Sequence, residues 1–151
     1  DFVFYGPDEL RPDNNILETI KDFGKESGSN ISFSSDDSCL KNATVIYTDI
    51  FASMGEEDMV SVKVNLLNNF KVTNEMLKKT YNPNILFMHC LPSFHDFETD
   101  FAKSQKKKGL DIREVADDVF EGKNSVVFDE AENRLHTIKA VLVAILSERL
   151  I

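Results

Sequence analysis

Cysteine is scarce in this chain of 151 residues: there are two, Cys39 and Cys90. Their wide separation fits neither a metal-ligand spacing nor a disulfide framework, so a reduced, cytosol-like compartment is the default expectation. Long hydrophobic runs are also missing. The longest, Val141 to Leu146, is far short of the roughly 20 apolar residues that span a bilayer, so no membrane partner is expected. Positive charge is in deficit, with 17 Lys and Arg against 26 Asp and Glu and a formal net charge of −9. That balance argues against nucleic acid, whose phosphates demand clustered cations. The one basic cluster, Lys103 to Lys108, stops at Gly109 and reads as a solvated helix end. The alternative is an anion-binding surface. There is no repeat, low-complexity tract, linker or visible signal peptide, and the chain opens on Asp1 rather than Met, as a processed, engineered or cut start would. What is present is enough for a core: 42% of the residues are apolar, in a length suited to one domain or a large piece of one.

Strand and helix patterns alternate. Phe2-Val3-Phe4-Tyr5 is β-prone and ends at Gly6-Pro7. Asp13 is a plausible N-cap for a helix with Ile16, Leu17, Ile20 and Phe23 on one face, and Gly28 is its stop. Ile31 to Phe33 reads as a strand, Ser38 to Lys41 as a brief helix and Thr44 to Tyr47 as a clear strand. A helix follows Gly55, with Val60, Val64 and Leu67 inward, and a short one spans Asn74 to Lys79. The segment 85–89 is the next strand. Residues 111–119 read as one or two helical turns and Val126 to Phe128 as extended. A last helix runs from about Glu132, with Leu135, Ile138, Leu142 and Ile145 on one face. This alternation predicts an α/β fold, a parallel sheet with helices on both faces in three layers and right-handed crossovers.

Three segments carry chemistry. In Phe87-Met88-His89-Cys90-Leu91-Pro92 a buried strand runs into an imidazole, a thiol and a proline that cannot extend the ladder. Ligands of open α/β sheets collect at such carboxyl ends. The segment Thr48 to Glu56 also follows a strand. Asp49 there suits a ligand ammonium, and Ser53 with the amides near Gly55 suits a carboxylate, a combination that fits an α-amino acid; helix capping by Asp49 and Ser53 is the alternative. In Phe128 to Thr137, Arg134 stands among three acids, as a local ion-pair network or as a phosphate ligand.

Met88-His89-Cys90-Leu91-Pro92, the loop Asp49 to Gly55 with Ser53-Met54-Gly55, and the run Val126 to Thr137 together resemble ornithine carbamoyltransferase, in that family's order and over nearly the whole chain. Ser53-Met54-Gly55 resembles the ornithine-type loop rather than those acting on aspartate or putrescine. The resemblance implies two Rossmann-like α/β domains, one for carbamoyl phosphate and one for ornithine, and transfer of the carbamoyl group to the ornithine δ-amine without metal or cofactor. It also implies roles. Asp49 would bind the ornithine α-ammonium, while Ser53 and Met54 position the amino-acid end. Cys90 and Leu91 would lie beside the reacting amine and carbamoyl group, with a thiolate there or the neutral His89 ring assisting loss of the amine proton. Arg134 would contact carbamoyl phosphate.

The family's Ser-x-Arg-Thr and His-Pro-x-Gln segments do not occur in this sequence. The resemblance therefore implies a single incomplete ornithine-binding domain over 1–151, lacking its first strand and helix, with 132–151 as the C-terminal helix that in the family packs back on the first domain. Left bare, its apolar face would drive self-association; folded onto this domain's own sheet, it would not. Asn14 and Asn15 are read as a helix start rather than as ornithine ligands. Phe51 stands where many members have Trp. L-Ornithine, carbamoyl phosphate and the missing N-terminal domain are the implied partners. A homo-oligomer related to the family's trimers is a further expectation, as is a cytoplasmic location, with the mitochondrial matrix also open.

Overall fold

A computed structural model describes residues 1–53 and 55–147. Two strands open the fold, β1 (Phe2–Tyr5) and β2 (Ile31–Ser34), joined through helix α1 (Asn14–Ser27). Asp13 caps α1 by accepting the amides of Asn15 and Ile16, at 2.9 and 3.1 Å, and Gly28 closes it in the left-handed region at φ 72°. The Asn14-Asn15 pair is thus a helix start, as expected. The apolar stripe of α1 packs only in part. Leu17 and Ile20 are half-buried and Gly24 is buried, while Ile16 and Phe23 remain exposed. Gly24 has a steric reason to be glycine, since a Cβ there would meet the Ser29 carbonyl oxygen at 3.0 Å and Ile31 just beyond.

A 3₁₀ turn (Asp37–Leu40) leads into β3 (Val45–Thr48), and another (Glu57–Met59) into α2 (Val60–Leu67). Helix α3 (Asn74–Lys79) precedes β4 (Leu86–His89). Helices α4 (Asp100–Lys107), α5 (Asp117–Phe120) and α6 (Val127–Leu146) complete the described chain. All strand pairing is parallel: β1 with β2 from Phe2↔Ile31 to Tyr5↔Ser34, and β3 with β4 from Val45↔Leu86 to Thr48↔His89. The α/β reading holds, with the ladder divided into two parallel pairs.

Two apolar clusters fill the interior. The larger gathers Leu40, Ile46, Val72, Met76, Leu77, Ile85 and Phe87 with Val115, Val119, Phe120 and Val127. The smaller joins Phe51, Val60 and Val64 to Ala102 and Ile112. Within β3 and β4, Ile46, Phe87 and His89 point inward while Val45, Tyr47 and Leu86 stay exposed, the alternation that a pleated strand imposes. The basic residues near 106 form the last turn of α4, a favourable place for cations beside the helix's terminal carbonyls.

Two boundaries differ from the sequence reading. Residues 111–116 do not form helical turns. Asp111 there accepts from Arg113 and Lys71, and Val115 makes a parallel bridge to Val72, so the strand-like ladder and ion pairs win over local propensity. Burial raises the Asp111 carboxyl, but the hydrogen bonds from Arg113 and Lys71 outweigh it and hold it well below the usual carboxylate range. Val126 to Phe128 is not extended either: Val126 is the N-cap residue of α6, which starts at Val127, well before Glu132. The buried Val127 anchors this start in the larger core. Beyond Glu130, every residue of α6 is exposed, including Leu135, Ile138, Leu142 and Ile145, so the helix does not fold onto its own sheet. No described helix is long and apolar enough to cross a membrane.

Candidate active site at the carboxyl ends of β3 and β4

Because β3 and β4 are parallel and in register, the residues that follow them emerge side by side. Asp49 follows Thr48, and Cys90 follows His89, the register partner of Thr48. The Cys90 Sγ–H donates to Asp49 Oδ1 at 3.0 Å, and the same oxygen accepts the Ile50 amide at 2.7 Å. Among the described residues nothing donates to Asp49 Oδ2 through a hydrogen bond, so the carboxylate keeps acceptor capacity for a cation. Burial pushes the Cys90 thiol up, and its hydrogen bond to Asp49 and that residue's charge push further in the same direction. Cys90 is therefore a protonated donor at neutral pH, not the thiolate that the sequence reading allowed. Beside it, the Tyr47 hydroxyl is pushed up to about 12, by burial first and then by its hydrogen bond to Glu130.

His89 corrects another expectation. It is not presented to a ligand alongside Cys90; its side chain is fully buried, as is that of Glu114. His89 Nε2 lies 2.9 Å from Glu114 Oε1, and His89 Nδ1 contacts the Cys90 carbonyl oxygen. Both ring nitrogens thus face oxygens. Glu114 Oε1 also accepts from Ser93 Oγ at 2.9 Å and from the Phe94 amide, while Glu114 Oε2 is buried and finds no partner among the described residues. The His89 amide donates to Glu130 Oε2 at 3.1 Å, which ties the start of α6 to the strand end. Glu114, Glu130 and Tyr47 were not singled out from sequence. Glu114 lies in an irregular segment, and only the fold brings it under His89.

Leu91 is exposed and is joined to Pro92 by a cis peptide bond. Ser53 is exposed on the loop after β3, and Met54 lies outside the described residues. Beneath that loop a mostly apolar cavity of about 260 Å³ is lined by Phe51, Ala52, Ser53, Pro92, Phe94 and Ile112, among others. Arg134 does not join the ion-pair network that its acidic neighbours suggested. It is exposed on α6 about one turn beyond Glu130, and among the described residues it makes no ion pair. Elsewhere, His95, Asp96 and Asp117 bring ligand-type atoms within 4.8 Å of one another, but His95 Nδ1 is already engaged by Asp117 Oδ1 at 2.7 Å.

The constellation thus consists of an exposed carboxylate and a thiol in direct contact, braced from behind by a buried His–Glu pair and flanked by the loop that carries Ser53. It can hold an ammonium at Asp49 and keep a neutral donor beside it. Known proteins carry the same strands and loops. The family model described as "Aspartate/ornithine carbamoyltransferase, Asp/Orn binding domain" matches residues 1–145. A catabolic ornithine carbamoyltransferase of Clostridium perfringens is 59% identical over 146 residues, which cover 95% of this chain and 44% of that protein. One from Bacillus licheniformis is 46% identical, with 94% and 43% covered. Among solved structures, ornithine carbamoyltransferase from Pyrococcus furiosus superposes with a TM-score of 0.76 at 35% identity, covering 95% of this chain and 41% of that one. The chain spans less than half the length of these relatives. Its match to the Asp/Orn-binding domain along nearly its whole length makes it a member of the aspartate/ornithine carbamoyltransferase family.

Proposed function

We propose that this chain is the ornithine-binding half of a carbamoyl-transfer site. The observation that carries the reading is the 3.0 Å contact between Cys90 and Asp49, which joins two of its family-like motifs at one sheet end. In the proposed reaction the δ-amine of L-ornithine attacks the carbamoyl carbon of carbamoyl phosphate. The new C–N bond forms, the C–O bond to phosphate breaks, and the amine loses a proton, giving citrulline and phosphate. Asp49 would receive the α-ammonium on its remaining acceptor sites. Ser53 and Met54 would hold the amino-acid end. Cys90, as a neutral thiol, and Leu91 would lie beside the reacting amine and carbamoyl group. Arg134 would offset charge on carbamoyl phosphate as the tetrahedral transition state forms. His89 fits a positioning role, since its buried ring holds the Cys90 carbonyl rather than facing solvent.

A second reading has its own support. The chain matches only 44% of the Clostridium relative, and the apolar face of α6 is uncovered. In that reading it is a binding module without turnover of its own. Calorimetry with L-ornithine separates the claims. Weak binding that is lost in Asp49→Ala, with no citrulline formed when carbamoyl phosphate is added, is the expected result. Binding that survives Asp49→Ala unchanged removes the assigned site, and citrulline formation by the purified chain removes the inactive-module reading.

A further inference from the structure

The loop after β3 is already occupied by carboxylates of the chain itself. The Ser53 amide donates to Glu56 Oε2 at 2.9 Å, and the Gly55 amide donates to Glu57 Oε1 at 3.0 Å. Lys63 Nζ reaches the same Glu56 oxygen at 2.5 Å. The hydrogen bond from Lys63, followed by the Ser53 amide, keeps the Glu56 carboxyl below its ordinary range, so it is an anion at neutral pH. Ser53 and Glu56 have the spacing of a capping box, in which a glutamate accepts the amide of the N-cap residue. The register is wrong for that role. The N-cap residue of the following 3₁₀ turn, Glu57–Met59, is Glu56 itself, so Ser53 is not among that helix's orphan donors. Glu56 serves the loop, not the helix. The Ser53 amide is thus held by a carboxylate, the kind of group that loop amides of this sort accommodate.

We infer that Glu56 is a specificity-determining residue, an internal competitor that occupies the position a ligand carboxylate takes on the Ser53 amide, with Lys63 as the cation that retains it after displacement. The inference rests on the ornithine-binding reading for the identity of the ligand, but not for the competition itself. A ligand carboxylate gains the Ser53 amide only by releasing Glu56, so its net gain is small. An amine without a carboxylate leaves Glu56 in place and gains nothing from its removal.

The test is an amide-resolved NMR titration of the 151-residue chain with acetate, L-ornithine and 1,4-diaminobutane. In Glu56→Ala the acetate concentration at half-shift of the Ser53 amide is expected to fall on the order of tenfold, the scale of one charge-assisted hydrogen bond. Ornithine affinity rises in parallel and diaminobutane affinity stays as in the parent chain. Glu56→Gln, which keeps the side-chain shape without the charge, moves the acetate midpoint in the same direction by less. An acetate midpoint that is unchanged or higher in both variants overturns the competition. Should Glu56→Ala disorder the loop, Glu56→Gln decides by the same criterion. An acetate response at Ser53 with no ornithine response at Asp49 or Cys90 sinks the ornithine reading and leaves the competition standing; ornithine binding with an unmoved acetate midpoint does the reverse.

Discussion

The two strand pairs have the same length, the same parallel sense and unbroken register, yet they differ in almost everything else. In β3–β4, Ile46, Phe87 and His89 are buried, and the core residues of α3, α5 and the start of α6 close over them. In β1–β2 no residue is buried; Phe2, Val3 and Phe4 are exposed, and the pair is faced by α1 around Gly24 and Ile31. A ladder of backbone hydrogen bonds nets only about 1 kcal/mol per bond after exchange with water, so pairing alone does not make a core. Apolar burial does, at roughly 25 cal/mol per Å². The site sits where burial is greatest. Asp49 and Cys90 need a fixed mutual distance, and the pair with the packed face supplies it.

The largest expected effect tests that claim at Phe87, which is fully buried at the centre of the larger core. Phe87→Ala removes a fully buried ring and is expected to cost about 3–5 kcal/mol in urea unfolding. A loss under about 1 kcal/mol, the size expected of an exposed position, would erase the contrast between the two pairs.

Next comes Glu114, which braces the site from below. Its Oε1 serves His89, Ser93 and Phe94 together. Glu114→Gln keeps one acceptor but removes the charge that strengthens all three bonds, and the added amide group needs a partner in a buried place. A loss of about 1–3 kcal/mol is expected, accompanied by shifted amides at His89 and Cys90. A variant as stable as the parent, with those amides unmoved, would show that the His–Glu pair is incidental to the site.

Much of this was legible before the fold was known, and the pattern of success follows from locality. Asp13 and Gly28 bound α1 because capping and left-handed closure are decided by residues within a few positions. Asp49 and Cys90 could be placed at one sheet edge because each directly follows an apolar strand. The failures came from long-range competition. Residues 111–116 have helical composition, but Val72 recruits Val115 into a bridge and Lys71 recruits Asp111 into an ion pair. Val126 to Phe128 look β-branched and extended, yet Val127 is needed as the buried foot of α6. His89 read as an available imidazole because its partner, Glu114, lies 25 positions away in a segment with no motif of its own.

The smallest effect is expected in the weaker pair, and it sharpens the comparison from the other side. Phe4 is 40% exposed and stacks on Phe33, with ring centroids 4.7 Å apart and planes 4° from parallel. Phe2 meets Phe4 edge-on at 4.6 Å. These rings cover one another because little else does, so Phe4→Ala forfeits a stacked pair worth about 0.5–1.5 kcal/mol beyond its modest burial. Only Tyr5 of β1 packs against the larger core, and it lies on the opposite side of the strand from Phe4. Removing the Phe4 ring should therefore leave that contact intact, and the amides of Asp49 and Cys90 should keep their positions in the spectrum. Movement of those amides, or a loss approaching that of Phe87→Ala, would mean that the two pairs act as one cooperative sheet and that the site depends on both.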